Sequence, residues 1–211
     1  MIAGGNTRMD IEIRELRRKD DNKVIDFAIK GMNFDRYVDG KLAPRLYGRY
    51  FLYLELKRAT QVIAAYMGDR IVGVLMAEMK NEPKQYGSFW RNFYVKIVDA
   101  VMAMAYQNGV APYETANQVM LKEYMKTANP DGEICFLAAD PTLQGKGIGT
   151  KLCNELARRE KGKQVYLYTD DNCTYQFYEH KGFERSEEKE IEIEIHGKIT
   201  PLTCFLYSKV L

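Results

Sequence analysis

Apolar and polar positions along the chain follow strand-like and helix-like periods in turn. Before residue 81 the pattern predicts a strand, two helices and a β-rich pair of runs, over residues 11–13, 24–32, 41–58 and 60–80. Gly68-Asp69 divides the β-rich runs, and a Gly-Asp pair between two such runs is typical of a hairpin turn. The first 80 residues therefore predict a short strand, two helices and a hairpin.

Residues 81–132 break this pattern with two helical stretches, 88–107 and 113–127, divided by Asn108-Gly109. Compact domains usually join neighbouring elements with only a few residues. We therefore interpret 81–132 as a helical insert. Its apolar residues include Trp90, Phe93, Tyr94, Val98, Met102, Met104, Met120, Tyr124 and Met125. The two helices are expected to pack on the sheet, to roof a binding cleft or to form a dimer face.

The rest of the chain predicts strand, helix, strand, helix and a final hairpin, over residues 133–139, 147–160, 164–169, 173–181 and 190–210. Residues 190–195 alternate glutamate with isoleucine, so one face of that strand is acidic and the other apolar. Hairpins at both ends of a β-α-β unit favour a mixed sheet over a doubly wound parallel one. We expect a single α/β domain over residues 1–211.

Composition narrows the class of protein. The 211 residues are 46% hydrophobic and 28% charged, as in ordinary globular domains. Lys+Arg minus Asp+Glu is 31 − 29, or +2, too near neutral for a strong phosphate footprint, so no nucleic-acid partner is expected. Apolar runs fall far short of the roughly 20 residues that span a bilayer, and no signal peptide is visible. We expect a cytoplasmic protein without a membrane partner.

Cysteine and histidine exclude several chemistries. The four cysteines, Cys135, Cys153, Cys173 and Cys204, form no C-x-x-C pair and are typical of small buried residues in a reducing compartment. The two histidines are His180 and His196, and neither lies in a nucleophile motif. No metal is expected, and the chemistry is not expected to depend on histidine.

The strongest signal for a binding site lies in residues 140–150. Three glycines within five residues, Gly145, Gly147 and Gly149, follow a predicted strand and open a predicted helix. Such a junction lets the backbone approach a ligand, and the free amides and dipole of the helix start favour an anion. Lys146 adds a positive charge. The segment predicts a phosphate or pyrophosphate site.

The familiar phosphate motifs do not match this segment. A Walker motif needs Ser or Thr after Lys146, where Gly147 stands, and a dinucleotide motif needs glycine at Thr150. Gln144, Gly147 and Gly149 instead form Q-x-x-G-x-G, which resembles the acetyl-CoA pyrophosphate loop of the GNAT superfamily of N-acetyltransferases. The alternative is a glycine-rich turn that binds no ligand.

A second motif strengthens the resemblance, which covers residues 133–183. Residues 177–183, FYEHKGF, look like the family's (F/L)-Y-E-x-x-G-F segment. The resemblance implies an α/β (α+β) fold with a mixed, mostly antiparallel central sheet. In that fold the fourth and fifth strands splay around the pantetheine arm, and helices cover both faces. Here the helical insert would lie between the third and fourth strands.

Tyr178 occupies the position from which family members often protonate the leaving thiolate. A phenol with an ordinary pKa near 10 is protonated at pH 7 and can donate to the sulfur. The alternative is an aromatic packing residue in a chain with 15 tyrosines.

Glu133 lies eleven residues before Gln144, where histone-type relatives carry a catalytic glutamate that acts through water. The resemblance therefore implies Glu133 as the base. The alternative is a solvent-facing glutamate at the start of a strand.

The resemblance also implies the contacts to the cofactor. Backbone groups around Leu137 and Ala139 would bind the pantetheine amides, and amides of Gly145 to Thr150 would bind the pyrophosphate. The implied cofactor-binding residues are Leu137, Ala138, Ala139, Gln144, Gly145, Lys146, Gly147, Ile148, Gly149, Thr150 and Asn172. The family often has asparagine seven residues before its tyrosine, but that position is Asp171 here. Asn172 is therefore either a ligand or a helix N-cap.

These features predict an acetyl-CoA-dependent N-acetyltransferase that acts on a primary amine by direct transfer in a ternary complex. A small-molecule acceptor is favoured, because a large apolar insert suits a closed pocket. A protein N-terminus or lysine as acceptor, a catalytically silent CoA-binding module, and a homodimer remain alternatives.

Overall fold

The computed structural model describes residues 10–32, 43–105, 112–195 and 198–211. Within these ranges the strands are β1 (Ile11–Arg14), β2 (Gln61–Met67), β3 (Arg70–Met79), β4 (Gly132–Ala139), β5 (Gln164–Asp170), β6 (Glu184–Ile195) and β7 (Lys198–Val210). The α-helices are α1 (Asp21–Gly31), α2 (Ala43–Arg58), α3 (Phe89–Ala105), α4 (Pro112–Tyr124), α5 (Ile148–Arg159) and α6 (Gln176–His180). No helix in these ranges combines the length and apolar character needed to cross a bilayer.

The seven strands form one sheet in the order β1-β2-β3-β4-β5-β7-β6. Only β4 and β5 pair in parallel, and the other neighbours are antiparallel. The expected mixed, mostly antiparallel sheet is therefore confirmed. β4 and β5 pair only at Gly132↔Val165 and Glu133↔Tyr166, whereas β4 pairs with β3 along its whole length. An opening between β4 and β5 follows, and its closed end lies at Glu133.

Helices cover both faces of the sheet. On one face Val24 and Phe27 of α1 and Leu56 of α2 pack with Phe136 of β4. On the other, residues of α5 such as Leu152 pack against β3, β4 and β5. We call these the α2 face and the α5 face. Each core is built from buried aliphatic and aromatic side chains, which hold the two edges of the opening in place.

A β-bulge changes the side-chain alternation in β4. Met76 pairs with Phe136 and Ala77 with Ile134, so the strand register gives Cys135 no opposite residue in β3. Ile134 packs on the α5 face, whereas Cys135 and Phe136 both contact the α2 face. The bulge thereby turns Glu133 toward the α2 face.

The insert helices have different neighbours. One expectation was that both helices pack on the sheet. This holds for α4, because its Ala116, Met120 and Tyr124 pack on β7. α3 instead packs on α2, where the rings of Tyr53 and Tyr94 meet edge to face at 5.5 Å. The predicted break at Asn108-Gly109 and the final turn at residues 196–197 lie outside the described residues.

Two predicted boundaries were wrong. The helix expected over residues 173–181 spans only Gln176–His180, because residues 171–175 form successive turns instead. β6 begins at Glu184, six residues before the predicted start. Residues 184–189 lack apolar alternation, and their pairing with β7 holds them in the sheet.

Candidate active site

The glycine-rich loop joins the end of β4 to α5 through a 3-10 turn, Pro141–Leu143. Gly145 has φ 78° and Gly147 has φ 74°, in the left-handed region that favours glycine. No atom lies within 4 Å of the Cβ that either glycine would carry, so the backbone faces open space here. A ligand can therefore reach the backbone without meeting a side chain.

Most amides of this loop have no partner in the described part of the chain. Among the N–H groups from Gly145 to Thr150, only that of Lys146 donates a backbone hydrogen bond, to Leu143 O at 3.2 Å. The others lie at the start of α5, where the helix dipole is positive. Gln144 and the Lys146 side chain are exposed beside them. Free amides at a positive helix end form a site that an anion can occupy.

Asp140 anchors the start of the loop. Its Oδ1 accepts hydrogen bonds from Thr142 N at 3.0 Å and from Thr142 Oγ1 at 2.7 Å, and its Oδ2 pairs with Arg70. Burial acts to raise the pKa of Asp140, but the Thr142 hydrogen bonds and Arg70 outweigh it and lower this pKa to about 2. Asp140 is thus an ionised cap, a role that the sequence interpretation did not assign.

We expect Asp140→Ala to lower the free energy of unfolding at pH 7 by about 1–2 kcal/mol, through loss of the cap and the ion pair. Because the folded-state pKa is depressed, the contribution is complete above the unfolded pKa of about 4 and is lost as the pH falls through about 2. Urea unfolding of both proteins at several pH values measures the difference in their free energies of unfolding. A difference that does not shrink between about pH 4 and pH 2 would contradict this role.

The two sequence motifs touch each other. A Cβ on Gly149 would lie 2.9 Å from Cζ of Phe177, closer than a real contact allows. Gly149 therefore lets Phe177 of α6 pack directly on the first turn of α5. The Glu and the final Gly of the second motif also have structural roles. Glu179 accepts hydrogen bonds from Tyr207 Oη at 2.6 Å and from Arg185 Nη2 at 2.9 Å, while Gly182 has φ 74° after α6.

Tyr178 lies in an aromatic cluster on the α5 face. Its ring centroid is 5.4 Å from that of Phe177, 5.8 Å from Phe183 and 6.2 Å from Tyr207. Burial raises the pKa of Tyr178 well above its ordinary value, and the nearby Cys153 and Cys173 add to the effect. Its hydroxyl makes no hydrogen bond with the described residues, so the proton is available to a ligand.

The β4 side of the opening presents backbone groups. Asp140 N donates to Val72 O at 2.8 Å, and the alternation of an antiparallel pair turns Ala138 toward β3 as well. The backbone groups of Leu137 and Ala139 therefore point toward β5, where the strands have separated. These are the two positions from which the sequence predicts pantetheine contacts.

Asn172 is exposed and does not cap α6, so its interpretation as an N-cap was wrong. The cap position belongs to Tyr175, because the turns after β5 delay the helix. The Asn172 amide donates to Oδ1 of the buried Asp170 at 2.9 Å, and Asp171 N donates to Thr203 O. The Asp170 side chain thus stabilises this turn.

Glu133 lies at the closed end of the opening, with a side chain only 15% exposed. The alternative of a solvent-facing glutamate is therefore wrong. Arg58 of α2 donates to both of its oxygens, at 2.7 and 2.9 Å, and Tyr166 Oη donates to Oε2 at 3.2 Å. The sequence analysis did not find Arg58, because a contact across 75 residues leaves no local pattern.

The opening places the two candidate catalytic groups on different sides of the sheet. Tyr178 packs on the α5 face, whereas Glu133 contacts Arg58 on the α2 face. In the described ranges no group of three or more His, Cys, Asp or Glu residues is arranged to hold a metal ion.

The fold is similar to that of known proteins. Residues 101–185 match the family model described as an acetyltransferase (GNAT) domain. No curated protein matches the sequence. Among solved structures, the histone acetyltransferase HPA2 and related acetyltransferase from Corynebacterium glutamicum has 13% identity and a TM-score of 0.56, covering 94% of this chain and 96% of that chain.

Two further structures share the fold. The Drosophila melanogaster polyamine N-acetyltransferase has 16% identity and a TM-score of 0.55, covering 96% of this chain and 100% of that chain. Arabidopsis thaliana NAA60, solved with a bisubstrate analogue, has 14% identity and a TM-score of 0.53, covering 95% and 97%. The chain thus has the fold of the GNAT acetyltransferases, and residues 101–185 match the model of that family.

Proposed function

We propose that the protein transfers the acetyl group of acetyl-CoA to the primary amine of a small molecule, by direct transfer in a ternary complex. The observation that carries this proposal is the set of unpartnered amides at the start of α5, directly after the open edge of β4. It supports a pyrophosphate held at the loop and a pantetheine arm lying between β4 and β5.

The backbone performs most of the cofactor binding in this proposal. Amides of Gly145 and Gly147 to Thr150 donate to the pyrophosphate, and Lys146 contributes charge. Gln144 lies beside them, and Asn172 lies beyond the end of β5. The backbone groups of Leu137 and Ala139 bind the pantetheine amides, and Ala138 holds this segment of β4 against β3.

The reaction needs two proton transfers. The amine nitrogen attacks the thioester carbonyl carbon, a C–N bond forms, and the C–S bond breaks. Glu133 takes the proton that the amine loses, directly or through water, and Tyr178 gives its proton to the departing thiolate. Acetyl-CoA supplies the activated acyl group, and no enzyme-bound acetyl intermediate is required.

The structural relatives include both acceptor classes, since one is named a polyamine acetyltransferase and another a histone acetyltransferase. The α2 face favours a small amine in this chain. Tyr166 and Tyr168 of β5 line that face, and α4 covers the adjoining part of the sheet. Aromatic rings suit a compact ammonium group, which they can contact through their faces.

Initial rates test the acceptor class. Thiol release from acetyl-CoA is measured with agmatine, 1,4-diaminobutane, phenethylamine and a tetrapeptide with a free N-terminus. We expect a higher kcat/KM for at least one small amine than for the peptide, and intersecting double-reciprocal lines. A preference for the peptide would replace the small-molecule proposal, and parallel lines would exclude direct transfer.

The cellular location and the oligomeric state stay predictions. All four cysteines are free thiols, which supports a reducing cytoplasm. The homodimer remains an expectation from the sequence, and sedimentation of the purified protein tests it.

A further inference from the structure

A half-buried ionic network lies next to the closed end of the opening. Arg58 donates from Nη2 and Nη1 to the two oxygens of Glu133, at 2.7 and 2.9 Å, and from Nε to Glu55 Oε2 at 2.8 Å. The side chains are 29% exposed for Arg58, 15% for Glu133 and 6% for Glu55. Glu78 Oε2 of β3 lies 3.7 Å from Arg58 Nη1 as well, so one guanidinium joins three carboxylates from α2, β3 and β4.

Stability alone does not account for this network. Burying charged groups carries a desolvation cost, and well-packed apolar residues of similar volume often stabilise a fold as much or more. Burial raises the pKa of Glu55, against the lowering effect of Arg58. The Cys135 thiol, which the β-bulge turns to this side, adjoins Glu55 and has its own pKa raised by burial. A costly arrangement beside the reaction site points to a role in the chemistry.

The geometry restricts what Glu133 can do. Oε2 accepts from both Arg58 Nη1 and Tyr166 Oη, whereas Oε1 accepts only from Arg58 Nη2 among the described residues. A carboxylate oxygen accepts about two hydrogen bonds. Oε2 is therefore saturated and Oε1 retains one free lone pair. The two-point contact also prevents the carboxylate from rotating.

We propose that Arg58 is the positioning residue of the reaction, holding Glu133 so that Oε1 alone receives the proton from the acceptor amine or its relay water. Glu55 fixes the third nitrogen of Arg58 and so keeps the guanidinium from swinging away. The inference rests on the proposed function, with Glu133 as base. The proton passes from nitrogen to Oε1 as the C–N bond forms, and the thiolate takes a different proton from Tyr178.

A double-mutant cycle tests the inference with Arg58→Lys, Glu133→Gln and the double variant. Lysine keeps the positive charge, which protects the fold, but cannot contact both oxygens and Glu55 in the same geometry. We expect Arg58→Lys to lower kcat by about 10- to 100-fold, because small misplacements of a reacting group cost that much. The KM for acetyl-CoA should be unchanged. In the Glu133→Gln background the same substitution should lower kcat by less than about threefold, since the effects of residues that act through one another are not additive.

Arg91→Lys is the matched control. Arg91 also forms a half-buried ion pair, with Asp21 at 2.7 Å, but it lies at the packing of α3 on the rest of the fold. We expect its kcat to equal that of the wild type. The difference between its melting temperature and that of the wild type shows how much a buried arginine pair contributes to stability when it has no role in the reaction.

Three other outcomes would contradict the role of Arg58, the role of Glu133 or the proposed function. An equal loss of kcat from Arg58→Lys in both backgrounds would make Arg58 a purely structural residue. An unchanged kcat in Glu133→Gln would remove Glu133 as the base and Arg58 with it, while leaving the transferase intact. A wild-type protein that acetylates no amine would overturn the proposed function and this inference together.

Discussion

We expect acetyl-CoA to stabilise the wild-type protein against heat and to give no such protection to a Gly147→Val variant. Gly147 has φ 74°, and a Cβ there would project into open space in front of the loop amides. A valine side chain would occupy the volume that the pyrophosphate needs, and removes at least two charge-assisted hydrogen bonds. We expect affinity to fall on the order of 100-fold or more. At a ligand concentration of 100 Kd, the wild type gains about 2.7 kcal/mol, or roughly 5–10 °C in Tm.

Gly68→Val is the matched control. Gly68 also has a positive φ, 59°, and open space at its Cβ position, but it lies in the hairpin turn between β2 and β3. Both variants carry a β-branched residue in the left-handed region, so both lose intrinsic stability. Only Gly147→Val should lose the acetyl-CoA-dependent shift. An equal shift in both variants would show that the ligand does not bind at this loop.

A Tyr178→Phe variant should bind acetyl-CoA normally and turn over at least about 100-fold more slowly, the usual contribution of a general acid. Removing one hydroxyl leaves the ring contacts with Phe177, Phe183 and Tyr207 in place. Steady-state kcat, with acetyl-CoA affinity measured separately by calorimetry, distinguishes the two effects.

The pH profile gives a second test of Tyr178. Burial raises the pKa of this phenol, so the protonated form persists at alkaline pH. Loss of its proton should therefore cause no fall in the wild-type kcat between pH 7 and about 10. Tyr175→Phe is the control, because it removes a hydroxyl from the same segment while its ring packs on Phe205. Equal kcat losses in the two variants would leave Tyr178 without a special role.

The sequence predicted the elements whose local pattern is strong. The hairpin at Gly68-Asp69 and the amphipathic α5 carry period and turn signals within a few residues, and the structure has both. The glycine loop was predictable for the same reason, since positive φ and close approach require glycine at specific positions. The contact of Gly149 with Phe177 explains why the two motifs occur together.

Features that depend on distant contacts were not predictable. The β-bulge at Cys135 arises from pairing with β3, and without it the alternation of β4 would place Glu133 on the other face. In the sequence, Arg58 and Glu55 resemble any charged residues of an amphipathic helix. Only the packing of α2 beside β4 distinguishes them. Of the two alternatives for Asn172, the N-cap was wrong because the Asp170 side chain, not the local propensity, determines the turn after β5.

The most direct test of the account is to supply acetyl-CoA labelled with ¹³C in the acetyl group and to follow the label by mass spectrometry. The wild-type protein should transfer the label to one of the primary amines named for the initial-rate experiment. One thiol should be released for each amide bond formed. The protein itself should stay unlabelled, because the proposed transfer is direct. Saturable binding of acetyl-CoA with no labelled amide from any amine would contradict the account and leave a CoA-binding module in its place.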